Sequence, residues 1–251
     1  MNNKNDTERI NVKKVSKERW QKAQNFELEL WKKSARLGVF GKFKYFMRNI
    51  IKGNLLSCYD DWNLWWLVKF DNYFFLKDLN TAIEIGCGPF SNMRLIIKKI
   101  KCYKPYFSDP LIRDYIKYTD GFVAKSAKKG DIFIDNSPAE DLPYKDNYFD
   151  LVVLINVLDH VRDAEQVLNE CIRITRKKGV FIIGQDLTNE EDAKKHPAID
   201  DPLHPISVDH IFLDNILKGL FTSVYFKLLP RKEGRNPDYH YGTYLFAGIK
   251  K

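Results

Sequence analysis

From about residue 80 onward, short apolar runs alternate with stretches in which apolar residues recur every three or four positions. The short runs predict β-strands, and the longer spacing predicts helices. The predicted strands are Thr81–Ile85, Lys104–Ser108, Gly130–Asp135, Asp150–Ile155, Val180–Gln185, Phe221–Leu228 and Tyr244–Ile249. The predicted helices are Ser91–Lys99, Ile112–Tyr118, Ala164–Thr175 and Val208–Gly219.

The order of these elements predicts an α/β fold. Alternating strands and helices are typical of a mostly parallel sheet with helices on both faces. The last two predicted strands are joined by a connection that is rich in Gly, Pro, Asn and charged residues and lacks helical periodicity. Such a connection indicates a hairpin, so we expect a seven-stranded sheet in which the last strand is antiparallel.

The N-terminal part has a different pattern, which predicts a helical cap over residues 1–77 ahead of a main domain over 78–251. Residues 1–15 are polar and are predicted to be disordered. The predicted cap helices are Lys17–Leu37, Val39–Ile51 and Trp62–Phe75. The many aromatic residues of this cap either pack in a core against the main domain, the interpretation we favour, or form a lid over a ligand.

Charge is unevenly distributed along the 251 residues, whose formal net charge is +8. Residues 1–55 contain 14 Lys and Arg against 5 Asp and Glu, whereas the remainder contains 27 against 28. A basic, aromatic-rich cap suits nucleic acid, an anionic membrane surface, a phosphorylated substrate, or simply a solvated helical face. The main domain lacks the basic surplus expected of a dedicated nucleic-acid-binding protein.

Several classes of protein are excluded by other features. The longest apolar runs, among them Leu151–Ile155, are far shorter than the ~20 residues of a membrane-spanning helix, and no apolar leader segment is expected. The four cysteines at 58, 87, 102 and 171 form no CxxC pair, which argues against a zinc site or a disulfide framework. We therefore expect free, mostly buried thiols in a reducing cytoplasm.

A glycine-containing turn follows the first predicted strand of the main domain: Glu84-Ile-Gly86-Cys87-Gly88-Pro-Phe. Glycines here let a ligand approach the backbone closely. As a dinucleotide-binding GxGxxG pattern the match is incomplete, because Ser91 occupies the third position. Glu84 would also repel a pyrophosphate, whereas it suits a cationic ligand, so an NAD-linked dehydrogenase is a minor alternative.

This turn resembles motif I of the class I S-adenosylmethionine-dependent methyltransferases. The resemblance implies a Rossmann-like fold, with Glu84 near the amino-acid end of the cofactor and Gly86, Cys87 and Gly88 wrapped around it. The fuller form of the motif has a third glycine where this sequence has Phe90.

Further matches follow in order over about residues 81–185 and resemble the "type 11" group of these methyltransferases. Asp109 and Pro110 end the second predicted strand, where a carboxylate can accept the ribose hydroxyls. Ala139 and Glu140 begin an A-E-x-L-P loop that the resemblance places beside the adenine, and Asn156 ends the fourth predicted strand. The implied cofactor is S-adenosyl-L-methionine, with S-adenosyl-L-homocysteine as product.

Methyl transfer to a hydroxyl requires a base, and histidine is the side chain best suited to that role near neutral pH. His160 follows the fourth strand, at the sheet edge where ligands bind; His204 and His210 lie in the long segment after the fifth strand. These three are the candidate catalytic residues. A metal cluster of His196, Asp200, Asp201, His204 and His210 has no recognisable ligand spacing, so no metal is expected.

Gln24, Glu27 and Trp31 share one face of the first predicted helix, which resembles a helix that packs over the cofactor entrance in related enzymes. Gln24 and Trp31 are the candidate lid or substrate-contacting residues, although Trp31 could also serve only to anchor the helix.

The predicted activity is methyl transfer to oxygen, or secondarily to nitrogen, of a small molecule or a sugar-containing glycan. Two alternatives are open. One is an RNA methyltransferase that uses the basic N-terminal extension, although the Asn-Pro-Pro-Tyr tetrapeptide of many base-methylating enzymes is absent at Asn156-Val-Leu-Asp159. The other is a non-catalytic partner subunit that only binds the cofactor.

Overall fold

A computed structural model of the protein describes residues 12–35, 61–195 and 202–251. The predicted helix over 39–51 lies outside these ranges, as do His196, Asp200 and Asp201. Residues 12–15, which the sequence predicted to be disordered with the rest of 1–15, run beside the main domain. The amide of Val15 donates to the carbonyl of Arg162, and the Lys13 ammonium pairs with Asp209 at 2.7 Å.

The sheet has seven strands in the order β3-β2-β1-β4-β5-β7-β6, which confirms the predicted fold class. The strands are β1 Leu79–Ile85, β2 Cys102–Ser108, β3 Phe133–Asp135, β4 Phe149–Ile155, β5 Thr175–Leu187, β6 Phe221–Pro230 and β7 Gly242–Lys250. The first five strands pair in parallel, and β7 runs antiparallel to both of its neighbours. The final hairpin therefore inserts the last strand of the chain between β5 and β6.

Eight α-helices occur in the described parts of the chain: α1 Lys17–Ala35, α2 Asp61–Lys69, α3 Met93–Ile97, α4 Ile112–Tyr118, α5 Phe122–Lys129, α6 Ala164–Ile174, α7 Glu190–Lys195 and α8 His210–Leu217. Short 3-10 helices cover Asp71–Tyr73 and Arg231–Glu233. Sequence patterning did not predict α5, because lysines interrupt the few apolar residues of this helix.

Strand β4 lies at the centre of the sheet, and all 7 of its residues are buried. Its side chains alternate between two hydrophobic cores, one on each face of the sheet. Val152 and Leu154 belong to the core that α6 and α8 cover. Leu151, Val153 and Ile155 belong to the other core, which α2 and α3 cover. A continuous apolar run is what a strand covered on both faces requires.

Most of the described aromatic residues of α2 and the following turn pack in that second core, whereas Phe74 is exposed. Trp66 and Phe70 are fully buried, with ring centroids 6.5 Å apart, and Phe70 stacks on Tyr73 at 5.2 Å. Core packing, the favoured interpretation of these rings, therefore accounts for them. This packing fixes α2 against the sheet and brings its Asn63 to the wall of the cavity described below.

The described residues bear on two expectations from the sequence, one about membrane-spanning helices and one about the cysteines. Within those residues, no helix combines the length and the apolar character that crossing a lipid bilayer requires. Cys87, Cys102 and Cys171 are free thiols, and Cys87 and Cys171 are buried. Burial raises the pKa of each of these thiols, which keeps them protonated.

Candidate functional site

A cavity of about 600 Å³ opens at the carboxyl edge of the sheet, beyond the ends of β1, β2 and β4. Its floor is the glycine turn after β1, and helix α1 lies across it. In open α/β sheets, ligands bind in the crevice beyond the carboxyl ends of the strands. The volume lies in the range of about 300–1,000 Å³ that is common for small-molecule sites.

The two glycines of the turn have different structural reasons to be glycine. Gly86 has φ +64°, and a Cβ added there would lie 2.5 Å from Cγ2 of Val157, so the loop after β4 packs directly on its backbone. Gly88 has φ +54°, but an added Cβ would meet nothing within 4 Å. Because Gly88 lines the cavity, its backbone is the part of the turn that a ligand can approach.

Glu84 lies beneath the turn and is only 1% exposed. Its carboxylate accepts hydrogen bonds from the hydroxyl of Ser91 and from the amides of Asn92, at 2.8 Å, and Met93, at 3.1 Å. Burial raises the pKa of Glu84 to about 7, against the lowering effect of these donors. Glu84 therefore ties the glycine turn to the start of α3, and its predicted place near the amino-acid end of the cofactor stays a prediction.

Asp109 stands directly after β2 and lines the cavity beside Pro110. Its Oδ2 accepts from the amide of Gly88 at 3.0 Å and its Oδ1 from the amide of Leu111 at 2.9 Å. A carboxylate has about four acceptor positions, so further hydroxyl donors can be accommodated. Burial, followed by the nearby charge of Glu27, raises the pKa of Asp109 to about 7.

The other predicted cofactor residues also lie at the cavity. Cys87, Ala139, Glu140 and Asn156 all line it. Glu140 is fixed by the amides of Arg162, at 2.7 Å, and Asp163, at 3.1 Å, which donate to its Oε1. Asn156 has φ +55°, and its Oδ1 accepts from the amide of Asp186 at 3.2 Å. The long-range packing of the loops after β3 and β4 therefore fixes this wall.

Helix α1 places Gln24, Glu27 and Trp31 on the cavity, as their shared face predicted. Trp31 contacts the Phe90 ring, with centroids 5.7 Å apart, and its Nε1 donates to Oε1 of Glu27 at 3.4 Å. The Nε2 of Gln24 donates to the carbonyl of His160 at 3.5 Å. Glu27 is not among the predicted site residues, although its position on the same face was the signal that could have identified it.

Two of the three candidate catalytic histidines come together. The rings of His160 and His204 lie 4.5 Å apart, and both line the cavity. Between them is Asp159, 3% exposed, whose oxygens lie 3.9 Å from Nε2 of each histidine. Burial opposes ionisation of Asp159, but the two imidazoles hold the pKa of this carboxyl below its ordinary value. Asp159 was not predicted as a site residue; its position directly before His160 was the available signal.

His210 is not brought to the cavity. Asp209 caps α8 at this point, and the ring Nδ1 of His210 lies 2.9 Å from the hydroxyl of Tyr241. The role predicted for His210 as a catalytic residue therefore finds no support in the geometry. His240, left unassigned from the sequence, is buried with its Nδ1 3.2 Å from the hydroxyl of Thr188.

The charge of the cavity favours a cationic ligand. The described lining residues include three acids, Glu27, Asp109 and Glu140, and no Lys or Arg. Such a wall disfavours a pyrophosphate, whose charge needs donors or cations. It suits a positively charged sulfonium and ammonium.

Comparison with known proteins agrees with this geometry. Residues 83–183 match the family model described as a methyltransferase domain. Ajmaline N-methyltransferase of Rauvolfia serpentina is 28% identical over 125 residues, which cover 47% of this chain and 42% of that protein. The chain therefore matches less than half the length of this curated relative.

Two solved structures show the same fold at low sequence identity. One is N-methyltransferase NodS from Bradyrhizobium japonicum in complex with S-adenosylhomocysteine, with a TM-score of 0.51, 15% identity, and coverage of 69% of this chain and 79% of that chain. The other is the [4+2]-cyclase SpnF, with a TM-score of 0.57, 12% identity, and coverage of 75% and 80%. The fold therefore occurs in proteins named for different reactions.

The fold and the residues around the cavity resemble those of class I, S-adenosylmethionine-dependent methyltransferases. Residues 83–183, which match the methyltransferase domain model, make up less than half of the chain. The cofactor of this class is S-adenosylmethionine, and the cavity fits it in three respects: an open backbone at Gly88, a buried carboxylate at Asp109 with spare acceptor positions, and a wall without cationic side chains among the described residues.

Proposed function

We propose that this protein transfers the methyl group of S-adenosylmethionine to an oxygen, or secondarily a nitrogen, of a small-molecule or sugar-containing acceptor. The observation that supports this most is that one cavity contains both the glycine turn with Asp109 and the His160–His204 pair around Asp159. A cofactor-binding part and a group of bases therefore border the same space.

In this proposal the cofactor is held by the residues at the ends of β1, β2 and β4. Asp109 accepts the ribose hydroxyls, the Gly88 backbone contacts the amino-acid part, and Ala139 and Glu140 lie beside the adenine. When bound, S-adenosylmethionine supplies a methyl group that is already activated by a positively charged sulfur. The protein then contributes mainly position, alignment and electrostatics.

The acceptor lies at the end of the cavity that is bordered by His160, His204 and α1. A hydroxyl acceptor has to lose its proton as its oxygen forms the bond to carbon, and the imidazoles with Asp159 favour that loss. An amine acceptor needs only to be unprotonated. The name of the relative ajmaline N-methyltransferase supports keeping nitrogen as the second candidate for the acceptor atom. The shared volume of about 600 Å³ favours a small acceptor group over a bulky one.

The test has two stages with the purified full chain. Calorimetry with S-adenosylhomocysteine measures binding, and S-adenosylhomocysteine release is then followed with panels of small hydroxyl and amine acceptors, glycans and RNA. We expect binding, and release with a hydroxyl or amine compound. Release only with RNA supports the RNA methyltransferase alternative, and binding without release from any panel supports the non-catalytic subunit. Absence of binding would contradict the proposal. A cytoplasmic location stays a prediction.

A further inference from the structure

Asp159, His160 and His204 form a cluster whose purpose hydrogen bonding does not explain. One potential ligand atom from each lies within 4.8 Å of the other two. The distances from Asp159 to Nε2 of His160 and of His204 are both 3.9 Å. Protein hydrogen bonds to nitrogen are about 2.7–3.2 Å long, so neither pair is bonded directly. The three groups therefore lie close together without a direct hydrogen bond between Asp159 and either ring.

The buried end of this cluster lacks partners among the described residues. Oδ2 of Asp159 is inaccessible to solvent and has no hydrogen-bond partner there, and the same holds for Nδ1 of His160. A buried carboxylate oxygen without a partner is costly to maintain. An ion bound between the three side chains removes that cost for Asp159.

Neighbouring groups hold the cluster in this orientation. Gln185 donates from Nε2 to Oδ1 of Asp159 at 3.1 Å, and its own Oε1 accepts from the amide of Leu158 at 3.1 Å. The carboxylate of Glu27 lies on the far side of the His160 ring, with Oε2 3.8 Å from Nδ1. At this distance Glu27 is not hydrogen-bonded to His160, whereas an amide that orients a ligand carboxylate, as Gln185 does, is typical of the outer shell of metal sites.

His204 reaches the cluster because its loop is anchored on both sides. The amide of Ile206 donates to the carbonyl of Asp159 at 3.3 Å, and Nη1 of Arg19 donates to the carbonyl of Pro202 at 2.9 Å. The first of these contacts ties the loop to Asp159 itself, and the second ties it to helix α1. The cluster is therefore assembled from two distant parts of the chain, with α1 anchoring the second, and it differs from the His196–His210 set considered from the sequence.

We propose that Asp159, His160 and His204 bind a divalent first-row transition metal ion, with Zn²⁺ as the first choice. Imidazole and carboxylate ligands suit zinc, manganese, iron, cobalt and nickel. Zinc lies about 2.0–2.2 Å from such ligands, which are about 3.4 Å apart in tetrahedral geometry, so rotation of the two rings has to shorten the 3.9 Å separations by about 0.5 Å. Three protein ligands leave a position open, as in catalytic rather than structural sites.

The role of this ion rests on the methyl transfer proposed above; with the ion bound, His160 and His204 are its ligands and do not themselves accept the proton of the acceptor. Because His160 and His204 line the cavity, the open position faces the space assigned to the acceptor. A hydroxyl or carboxyl oxygen bound there is polarised, and the pKa of a hydroxyl falls. Its O–H bond then breaks with the electron pair left on oxygen and the proton passed to water, and no oxidant or reductant is needed. The inference thus narrows the acceptor to a compound with an oxygen that can bind a metal.

The experiment uses the untagged full chain after treatment with a chelator and exchange into metal-free buffer. Co²⁺ is added first, because it gives visible absorption bands in sites of low coordination number, and Zn²⁺ is then added to displace it. We expect one equivalent of Co²⁺ to bind and to be displaced by Zn²⁺. His160→Ala and His204→Ala are each expected to weaken binding by more than the ~10–100-fold that is typical of outer-shell changes. His210→Ala is the matched control and is expected to bind normally.

Failure of this inference is distinguishable from failure of the proposed function. Metal binding is measured without cofactor or acceptor, and Asp109→Ala is expected to lose S-adenosylhomocysteine affinity while its Co²⁺ spectrum is unchanged. Far-ultraviolet circular dichroism checks the fold of each variant, and His204→Gln provides a milder second variant. No Co²⁺ binding, or binding that both histidine substitutions leave intact, overturns the metal site even if cofactor binds.

Discussion

The amide of Gly88 donates a hydrogen bond to Oδ2 of Asp109 at 3.0 Å. This bond joins the glycine turn after β1 to the end of β2, so the two best-matched cofactor motifs form one rigid unit at the cavity wall. The other carboxylate oxygen of Asp109, Oδ1, accepts from the amide of Leu111 at 2.9 Å. The two hydrogen bonds together fix the orientation of the carboxylate. The remaining acceptor positions are therefore aimed before a ligand arrives.

Replacing Asp109 with Ala is expected to weaken binding of S-adenosylhomocysteine by at least ~10-fold, since a hydrogen bond to a charged group contributes about 1.5–3 kcal/mol. Calorimetry measures this directly. Asp131→Ala, at an exposed aspartate of the same domain, is the control and is expected to bind normally. Equal affinities of the two variants would remove Asp109 from the cofactor site.

Gly88→Ala and Gly130→Ala form a matched pair, because both glycines have positive φ, +54° and +77°, with open space where a Cβ would lie. Each substitution is expected to lower the free energy of unfolding by about 1–2 kcal/mol through the same backbone strain. Gly130 ends α5 and does not line the cavity, whereas Gly88 does. Only Gly88→Ala is therefore expected to weaken cofactor binding as well.

Denaturant unfolding and calorimetry separate these two effects. Gly86→Ala extends the series, because its methyl group would lie 2.5 Å from Val157. Crowding there adds to the backbone strain, so we expect this variant to be the least stable of the three. If Gly130→Ala reduced cofactor affinity as much as Gly88→Ala, the loss would reflect general destabilisation.

The pKa of Asp109 predicts a pH dependence of cofactor binding. Burial raises this pKa to about 7, whereas the ordinary value is 3.8. If the ribose hydroxyls bind the ionised form, affinity rises as the pH increases from 5.5 to 8.5. In the ligand-free protein the sign is opposite: an acid whose folded pKa is raised stabilises the fold below its unfolded pKa, and this contribution is lost as pH rises through about 7.

The check is calorimetry across that pH range on the unmodified chain and on Asp109→Asn, together with thermal unfolding of the ligand-free proteins. Asp109→Asn is expected to flatten the dependence of affinity on pH. Glu84, whose pKa burial also raises to about 7, contributes to the unfolding curve and stays in place in both proteins. An unchanged affinity profile in Asp109→Asn would assign the dependence to another group.

Local sequence patterns predicted the strands and the residues directly after them. The central strand was recognisable from its unbroken apolar run. Asp109 and His160 were recognisable as site residues because they follow predicted strands, and the carboxyl ends of parallel strands share one edge of the sheet. The approach of His204 to Asp159 was not predictable, since it depends on loop contacts made by Ile206 and Arg19. The burial of Glu84 against Ser91 and the amide of Asn92 was likewise not predictable from the sequence pattern, because it depends on how the glycine turn folds.

Trp31 offers a test of whether α1 acts as a cover. Its residue lines the cavity, and its ring lies 5.7 Å from that of Phe90 and 6.3 Å from that of Tyr115 by their centroids. Trp31→Ala opens that side, so we expect bound S-adenosylhomocysteine to dissociate about 10-fold faster, as the loss of roughly 1.5 kcal/mol of aromatic contact implies. Phe26→Ala, at a residue of the same helix that is 43% exposed, is the control.

Stopped-flow displacement measures the rates of S-adenosylhomocysteine release from both variants. A faster release in Trp31→Ala alone identifies a cover, whereas unchanged release with a lower melting temperature identifies Trp31 as an anchor of α1.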